Sequence, residues 1–202
     1  NERMCDYVLR PLAQDPVLRE GDLQTAYERM RNGALYNMVI QERTDMDSAV
    51  SDLIGGSCVI FFPGMERVLT CTVATEEKRS VSDPENEPSV KGAKDSFVES
   101  LRTNTSLVRR RLRAPELKVK EHIIGRQTLT PVDVLWLDGI ANKDTVRLVE
   151  QRIDAIDIDG LLSTGNLEEY IVDEVDTPFP LIAYTERPDR FSDALLEGRV
   201  GV

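Results

Sequence analysis

Residues 92–113 read GAKDSFVESLRTNTSLVRRRLR, and the organisation of the chain turns on this stretch. As a helix, it places Phe97, Leu101, Val108 and Leu112 at spacings of four, seven and four, one apolar stripe at helical period. Asn104 falls seven residues after Phe97, on the same stripe. Its amide needs partners there, because an unpaired buried polar group costs free energy. Arg102 and Arg109 project from a neighbouring face, and Glu99 and Arg110 from theirs. With Arg111 and Arg113 they make a basic segment in a chain whose formal net charge is −11. Two readings follow. One is a core helix with a solvated basic side. The other is a helix packed between two lobes, with Asn104 and some arginines facing a cleft.

The 202 residues allow one large domain or two small ones, and 41% hydrophobic content is ample for packed cores. The acidic balance argues against nucleic acid as a partner, since phosphate contacts need a basic surface. It leaves room for small ligands that carry carboxylates. The cysteines, Cys5, Cys58 and Cys71, are odd in number and form no CxxC pair. Cys58 and Cys71 lie in apolar stretches and read as small core residues, so a disulfide framework is not expected and a reducing compartment is favoured. No apolar run approaches the roughly 18 residues that a membrane-spanning helix needs. The chain reads as a piece of a longer protein.

Upstream of the arginine stretch, Met4, Val8, Leu9 and Leu12 predict a helix over 2–12. Asp22 caps a second helix that Gly33 ends. Leu35–Ile40 reads as a strand. Thr44 or Asp45 caps a short helix through Leu53-Ile54, closed by Gly55-Gly56. Cys58–Phe62 and Val68–Val73 flank the turn signal Pro63-Gly64 and predict a hairpin. Residues 75–92 hold little to bury and read as a linker or surface excursion.

Downstream, Leu117–Ile124 and Val132–Leu137 read as strands, and Asp138-Gly139 ends the second. Asn142 caps a helix carrying Val146, Val149, Ile153 and Ile156. Asn166 with Glu169 resembles a capping box. Leu181–Tyr184 reads as a strand, Pro188 opens a helix that Gly198 closes, and a further strand begins at Arg199. A repeat emerges. Gln41–Asp45 parallels Thr185–Asp189, and Leu53–Ile60 parallels Leu195–Val202. The expected architecture is α/β: two small lobes of related topology with mixed sheets, separated by a cleft. The divisions are 1–75, 76–115 (linker and arginine helix) and 116–202. On this scheme the first lobe's opening strand precedes Asn1 and the second lobe's hairpin follows Val202.

Catalytic chemistry is not evident. The single histidine, His122, lies in a predicted strand beside charged residues and reads as structural or solvent-exposed. No GxGxxG or Walker pattern occurs, and the cysteines lack metal-ligand spacing. Asp154, Asp157 and Asp159 alternate with Ile156 and Ile158. The run IDAIDIDG nevertheless lacks the remaining oxygen ligands of a calcium loop, and Asp159-Gly160 reads as a turn. No catalytic residue, metal ligand or cofactor is assigned.

The arginine stretch resembles the signature of the A subunit of bacterial spore germinant receptors. So do LKVKEHIIGRQT (117–128), VLWLDGIAN (134–142), IDAIDIDGLL (153–162), PFPLIAYTERPD (178–189) and LLEGRV (195–200), in the family's order. RSVSDPENEPSVKG (79–92) resembles the segment that precedes the family's arginine helix. The resemblance is nearly continuous over 80–202 and looser over the first 75 residues, chiefly through VLRPL and the region Leu53–Phe62. Two departures stand out. Gly92-Ala93-Lys94-Asp95-Ser96 replaces a Gly-Pro-Arg-Glu type run before Phe97, and Asp173-Glu174-Val175 lacks an Asn-Pro-like character.

The resemblance implies a soluble N-terminal domain on the cytoplasmic, spore-core face of the spore inner membrane. It also implies B and C receptor subunits as partners, an A-subunit homo-oligomer, and a nutrient such as an amino acid or sugar as the signal. On that footing, the leading expectation is a non-enzymatic nutrient-sensing domain that binds its ligand between two lobes and signals to a membrane region outside this chain. Ser100, Arg102, Asn104, Arg109 and Arg110 are its expected ligand-binding residues. Phe97, Glu99, Leu101, Val108, Arg111 and Asp159 are expected to hold the lobes. The rival expectation is an assembly module whose arginines pair with acidic patches on neighbouring subunits.

Overall fold

Asp22, Asp45, Ser100, Asn142 and Ser163 each accept a backbone N–H at the start of a helix. These short side chains satisfy donors that the first helical turn leaves unpaired. The computed structural model describes residues 4–16, 18, 21–35, 38–73, 87, 95–174 and 177–202. Most of the expected 75–92 linker lies outside those residues, as do parts of the expected Leu35–Ile40 strand and Val175. The chain divides into two compact units, Asn1–Glu77 and Lys78–Val202.

In the first unit, π-helical Cys5–Leu9 runs into α1 (Arg10–Gln14), and α2 (Leu23–Arg29) runs into π-helical Met30–Ala34. Gly33 breaks that helix with a φ of 114°, a conformation that favours glycine. β1 (Ile40–Arg43) follows, then α3 (Met46–Ile54), β2 (Ser57–Phe61) and β3 (Val68–Thr72). The strand order is β1-β3-β2, with both pairings antiparallel and β3 in the centre. The strand read at Leu35–Ile40 is displaced toward the C-terminus, because Ile40–Arg43 are the residues in register with Val68–Cys71. Two apolar clusters cover this sheet. One joins Tyr27, Met30, Phe62 and Leu69, and the other joins Val8, Leu35, Cys71 and Val73.

The second unit contains α4 (Leu101–Arg111), β4 (Leu117–Ile124), β5 (Thr130–Leu137), α5 (Lys143–Asp154), α6 (Thr164–Ile171) and α7 (Pro188–Leu196). β4 and β5 form an antiparallel hairpin in register from Leu117↔Leu137 to Ile124↔Thr130. Gly201 pairs with Leu135 on the other side of β5 through N–H···O bonds of 2.8 and 2.9 Å. A Cβ at Gly201 would stand 2.2 Å from Phe191 Cζ, so the close approach of the chain to α7 requires glycine. One core joins α4, the hairpin and α7 through Val108, Leu112, Leu117, Leu135, Leu137 and Leu195. The opposite face of the hairpin buries Ile124, Val132 and Val134 against Ile153, Leu161 and Leu167, with Trp136 partly buried beside them.

The α/β class holds. In place of mixed sheets, every strand pairing among the described residues is antiparallel. The strand read at Leu181–Tyr184 is absent. Pro178 and Pro180 precede it, and Leu181 and Tyr184 are exposed rather than packed on a neighbour. The capping box read at Asn166 is also displaced. Ser163 is the cap, accepting from Asn166 N, so the helix begins at Thr164. Of the repeat's strand–helix–strand pattern, the first unit shows all three parts. The second shows the helix α7 and the single bridge at Gly201.

Candidate functional site: the arginine helix

α4 starts four residues later than the apolar spacing suggests. Ser100 caps it, its hydroxyl accepting from Thr103 N at 3.4 Å. Phe97 therefore lies ahead of the helix, where its ring meets Phe191 edge-on at 5.5 Å. Leu107 and Val108 are fully buried, and Leu101 is partly covered. Asn104 finds the partners its position demands: Oδ1 accepts from Val98 N at 2.8 Å and Nδ2 donates to Val98 O at 2.7 Å. This amide pairs like a strand residue and clamps the segment before the helix onto it. Thr105 donates to the buried Asp133 carboxylate on β5 at 2.8 Å.

The arginines divide into two groups. Arg111 is half-buried, bonded to Asp95 and to the carbonyl of Leu107. Arg102, Arg109 and Arg110 are exposed, and no described residue offers their side chains an ion pair or hydrogen bond. Arg102 and Arg109 lie seven residues apart on one face, and Ser106 between them turns its hydroxyl back to Arg102 O at 2.8 Å. Arg113, also exposed, donates to Arg110 O at 3.3 Å. Cations in the last turn also suit the negative end of the helix dipole. Glu99 is exposed beside the cap. Asp159 stands apart, in a turn whose carbonyl accepts from Gln127 N at 2.8 Å.

The expected ligand-binding set thus separates. Ser100 and Asn104 are engaged within the unit, whereas Arg102, Arg109 and Arg110 are exposed on α4 with no side-chain partner among the described residues.

Sequence reading missed a clasp that supports this face. Glu87 accepts from Thr185 Oγ1 at 2.6 Å and from Arg190 Nη1 at 2.7 Å, and its N–H donates to Glu186 Oε1 at 2.7 Å. The Glu186 carbonyl accepts from Phe97 N at 2.8 Å and Ser96 Oγ at 3.1 Å. The TERPDR run therefore fastens the segment leading into α4. Within it, Arg187 grips Asp189 with both guanidinium arms and holds that carboxyl below its ordinary range. The clue was present as a signature motif, but its partners are 89–103 residues away.

A cavity of about 410 Å³ lies elsewhere in the second unit, between α6 and residues 174 and 177–181. Glu168, Glu169 and Glu174 line it with Val172, Phe179 and Leu181. Tyr184 donates to Glu168, which pushes the phenol up to about 12. His122 is buried on β4 rather than solvent-exposed, with Nδ1 2.8 Å from Asp154 Oδ1. Among the described residues, no group of three or more His, Cys, Asp or Glu side chains is placed to hold a metal.

The model of the Bacillus/Clostridium GerA spore germination proteins matches this chain over residues 1–202. The chain belongs to the GerA spore germination protein family. Among its relatives, spore germination protein XA of Bacillus anthracis is 38% identical over 202 residues, covering 98% of this chain and 41% of that protein. Spore germination protein KA of Bacillus subtilis is 33% identical over 202 residues, covering 100% and 37%. The chain thus spans about two fifths of those relatives' lengths. Its fold is similar to the crystal structure of the N-terminal domain of the A subunit of the Bacillus megaterium spore germinant receptor GerK3. That match has a TM-score of 0.71 and 32% identity, over 99% of this chain and 72% of the other. Among the described residues, no helix is long and apolar enough to cross a membrane.

Proposed function

We propose that this chain is the N-terminal domain of a spore germinant receptor A subunit, and that it responds to a small nutrient without catalysing a reaction. The observation that carries the reading is the exposure of Arg102, Arg109 and Arg110 on α4, to which no described residue offers a counter-charge, in a member of this family. Guanidinium groups bind carboxylates through paired N–H donors, so an amino-acid nutrient is the ligand class this face suits best. A sugar would have to use hydroxyl contacts in the same place. Binding that favours one arrangement of the protein would shift its population and pass the signal to a membrane region and to B and C subunits at the cytoplasmic face of the spore inner membrane. Titrating the chain with candidate amino acids and sugars, with residue-resolved NMR, tests the idea. Shift changes centred on 102–110 are expected. A silent spectrum at saturating nutrient, or changes confined to remote positions, would sink it.

A second reading has its own support. Small-molecule sites are concave, whereas these arginines are exposed on α4 and the cavity beside α6 is lined by other elements. An exposed basic helix suits an acidic protein surface, on another A subunit or on a B or C subunit. Replacing Arg110 by Glu separates the two. Failed receptor assembly supports docking, and intact assembly with an altered nutrient response supports sensing.

A further inference from the structure

We propose that Cys58 and Cys71 are an oxidant-sensitive pair that closes to a disulfide across the β2–β3 hairpin of the first unit. Cys58 lies directly opposite Cys71 in the antiparallel register, so both side chains leave the same face of the sheet. Opposed residues in such a ladder have Cα atoms about 4.5 or 5.5 Å apart. Both spacings fall within the roughly 4.4–6.8 Å that a disulfide bridges. Both cysteines are free thiols.

The pair is asymmetric. Cys71 is 1% exposed at the centre of the sheet, packed with Val8, Leu35 and Val73. Burial and the neighbouring Cys58 push its thiol up to about 11, which makes it a poor first target for an oxidant. Cys58 is half-buried on the edge strand β2 and is the reachable member. A peroxide is therefore met by Cys58. Its thiolate attacks one oxygen, the O–O bond breaks, and Cys58 becomes a sulfenic acid as hydroxide leaves. The Cys71 sulfur, giving its proton to that hydroxide, then attacks the Cys58 sulfur and expels hydroxide, which is released as water once it gains a proton. The net change is two thiols and one hydrogen peroxide to one disulfide and two waters. Fixed proximity compensates for the weak acidity of Cys71, because the second step is intramolecular.

This device ties an edge strand to the central strand, with the Pro63-Gly64 turn inside the closed loop. Cys5, exposed on the N-terminal helix, supplies an internal control.

The test uses the dilute 202-residue chain, treated with hydrogen peroxide, then denatured, alkylated and mapped by mass spectrometry. The expected result is the loss of two of its three thiols, a cross-linked peptide pair holding Cys58 and Cys71, and full reversal by dithiothreitol. Cys5→Ser leaves this unchanged, and Cys58→Ser abolishes it. Finding Cys58 over-oxidised or joined to Cys5, with Cys71 still a free thiol, would overturn the proposal. The peptide map of the unsubstituted chain decides the matter even where a variant misfolds.

Discussion

Asn104 illustrates how one side chain can fix the use of a whole surface. Its amide replaces the backbone partner that Val98 would have in a strand, and it does so from the apolar stripe of a helix. Asn104→Ala leaves both Val98 groups without that partner and is expected to cost about 1–3 kcal/mol in chemical denaturation of the second unit. Asn104→Asp keeps the acceptor, loses the donor, and should fall between the two. The need for partners at Asn104 was legible from its spacing, but their identity was not, because Val98 lies on the non-helical segment that spacing alone assigned to the helix. The exposed arginines were legible as a basic face. That Arg111 differs from Arg109 and Arg110 depends on Asp95, whose position is set by the clasp between Glu87, Glu186 and Thr185.

At the scale of elements, the first sheet shows how a strand and a helix are joined by charge. Asp52 of α3 accepts from Arg43 Nε of β1 at 2.7 Å and from Thr70 Oγ1 of β3 at 2.8 Å. These donors, the Arg43 guanidinium foremost, hold the Asp52 carboxyl below its ordinary 3.8. A depressed value in the folded protein means that the unfolded chain binds the proton more readily. The stabilisation is thus complete above pH 3.8 and is lost as the pH falls through the folded value. Urea midpoints of the first unit measured from about pH 5 down to pH 2 should fall less steeply in Asp52→Asn than in the parent chain. An unchanged slope would show that the contact adds nothing to acid stability. Most element boundaries were legible because caps and glycines announce them: Asp22, Asp45, Asn142, Pro188 and Gly198 all act where their chemistry suggests. Of the run read at Leu35–Ile40 the described ladder takes in Ile40, and of Leu181–Tyr184 it takes in no residue. Pairing is a long-range property that local pattern does not carry.

At the scale of the molecule, each unit has its own apolar clusters and its own sheet, β1-β3-β2 in one and β4-β5 in the other. The α/β class followed from alternating helix and strand signals. Antiparallel pairing was legible at the hairpin read across Pro63-Gly64, but that of β1 with β3 was not, since strands with a helix between them are compatible with either direction. Trp136 on β5 is the single tryptophan of the chain and packs beside the Ile153 and Leu167 cluster of the second unit. Indole emission therefore watches that unit alone, while far-ultraviolet circular dichroism averages over both. If the units melt separately, the two signals will trace different curves in urea, with only the dichroism sensing the first unit. Coincident curves would instead mark one cooperative transition across all 202 residues. One indole in one hairpin thus makes the cooperativity of a bipartite protein visible without any label.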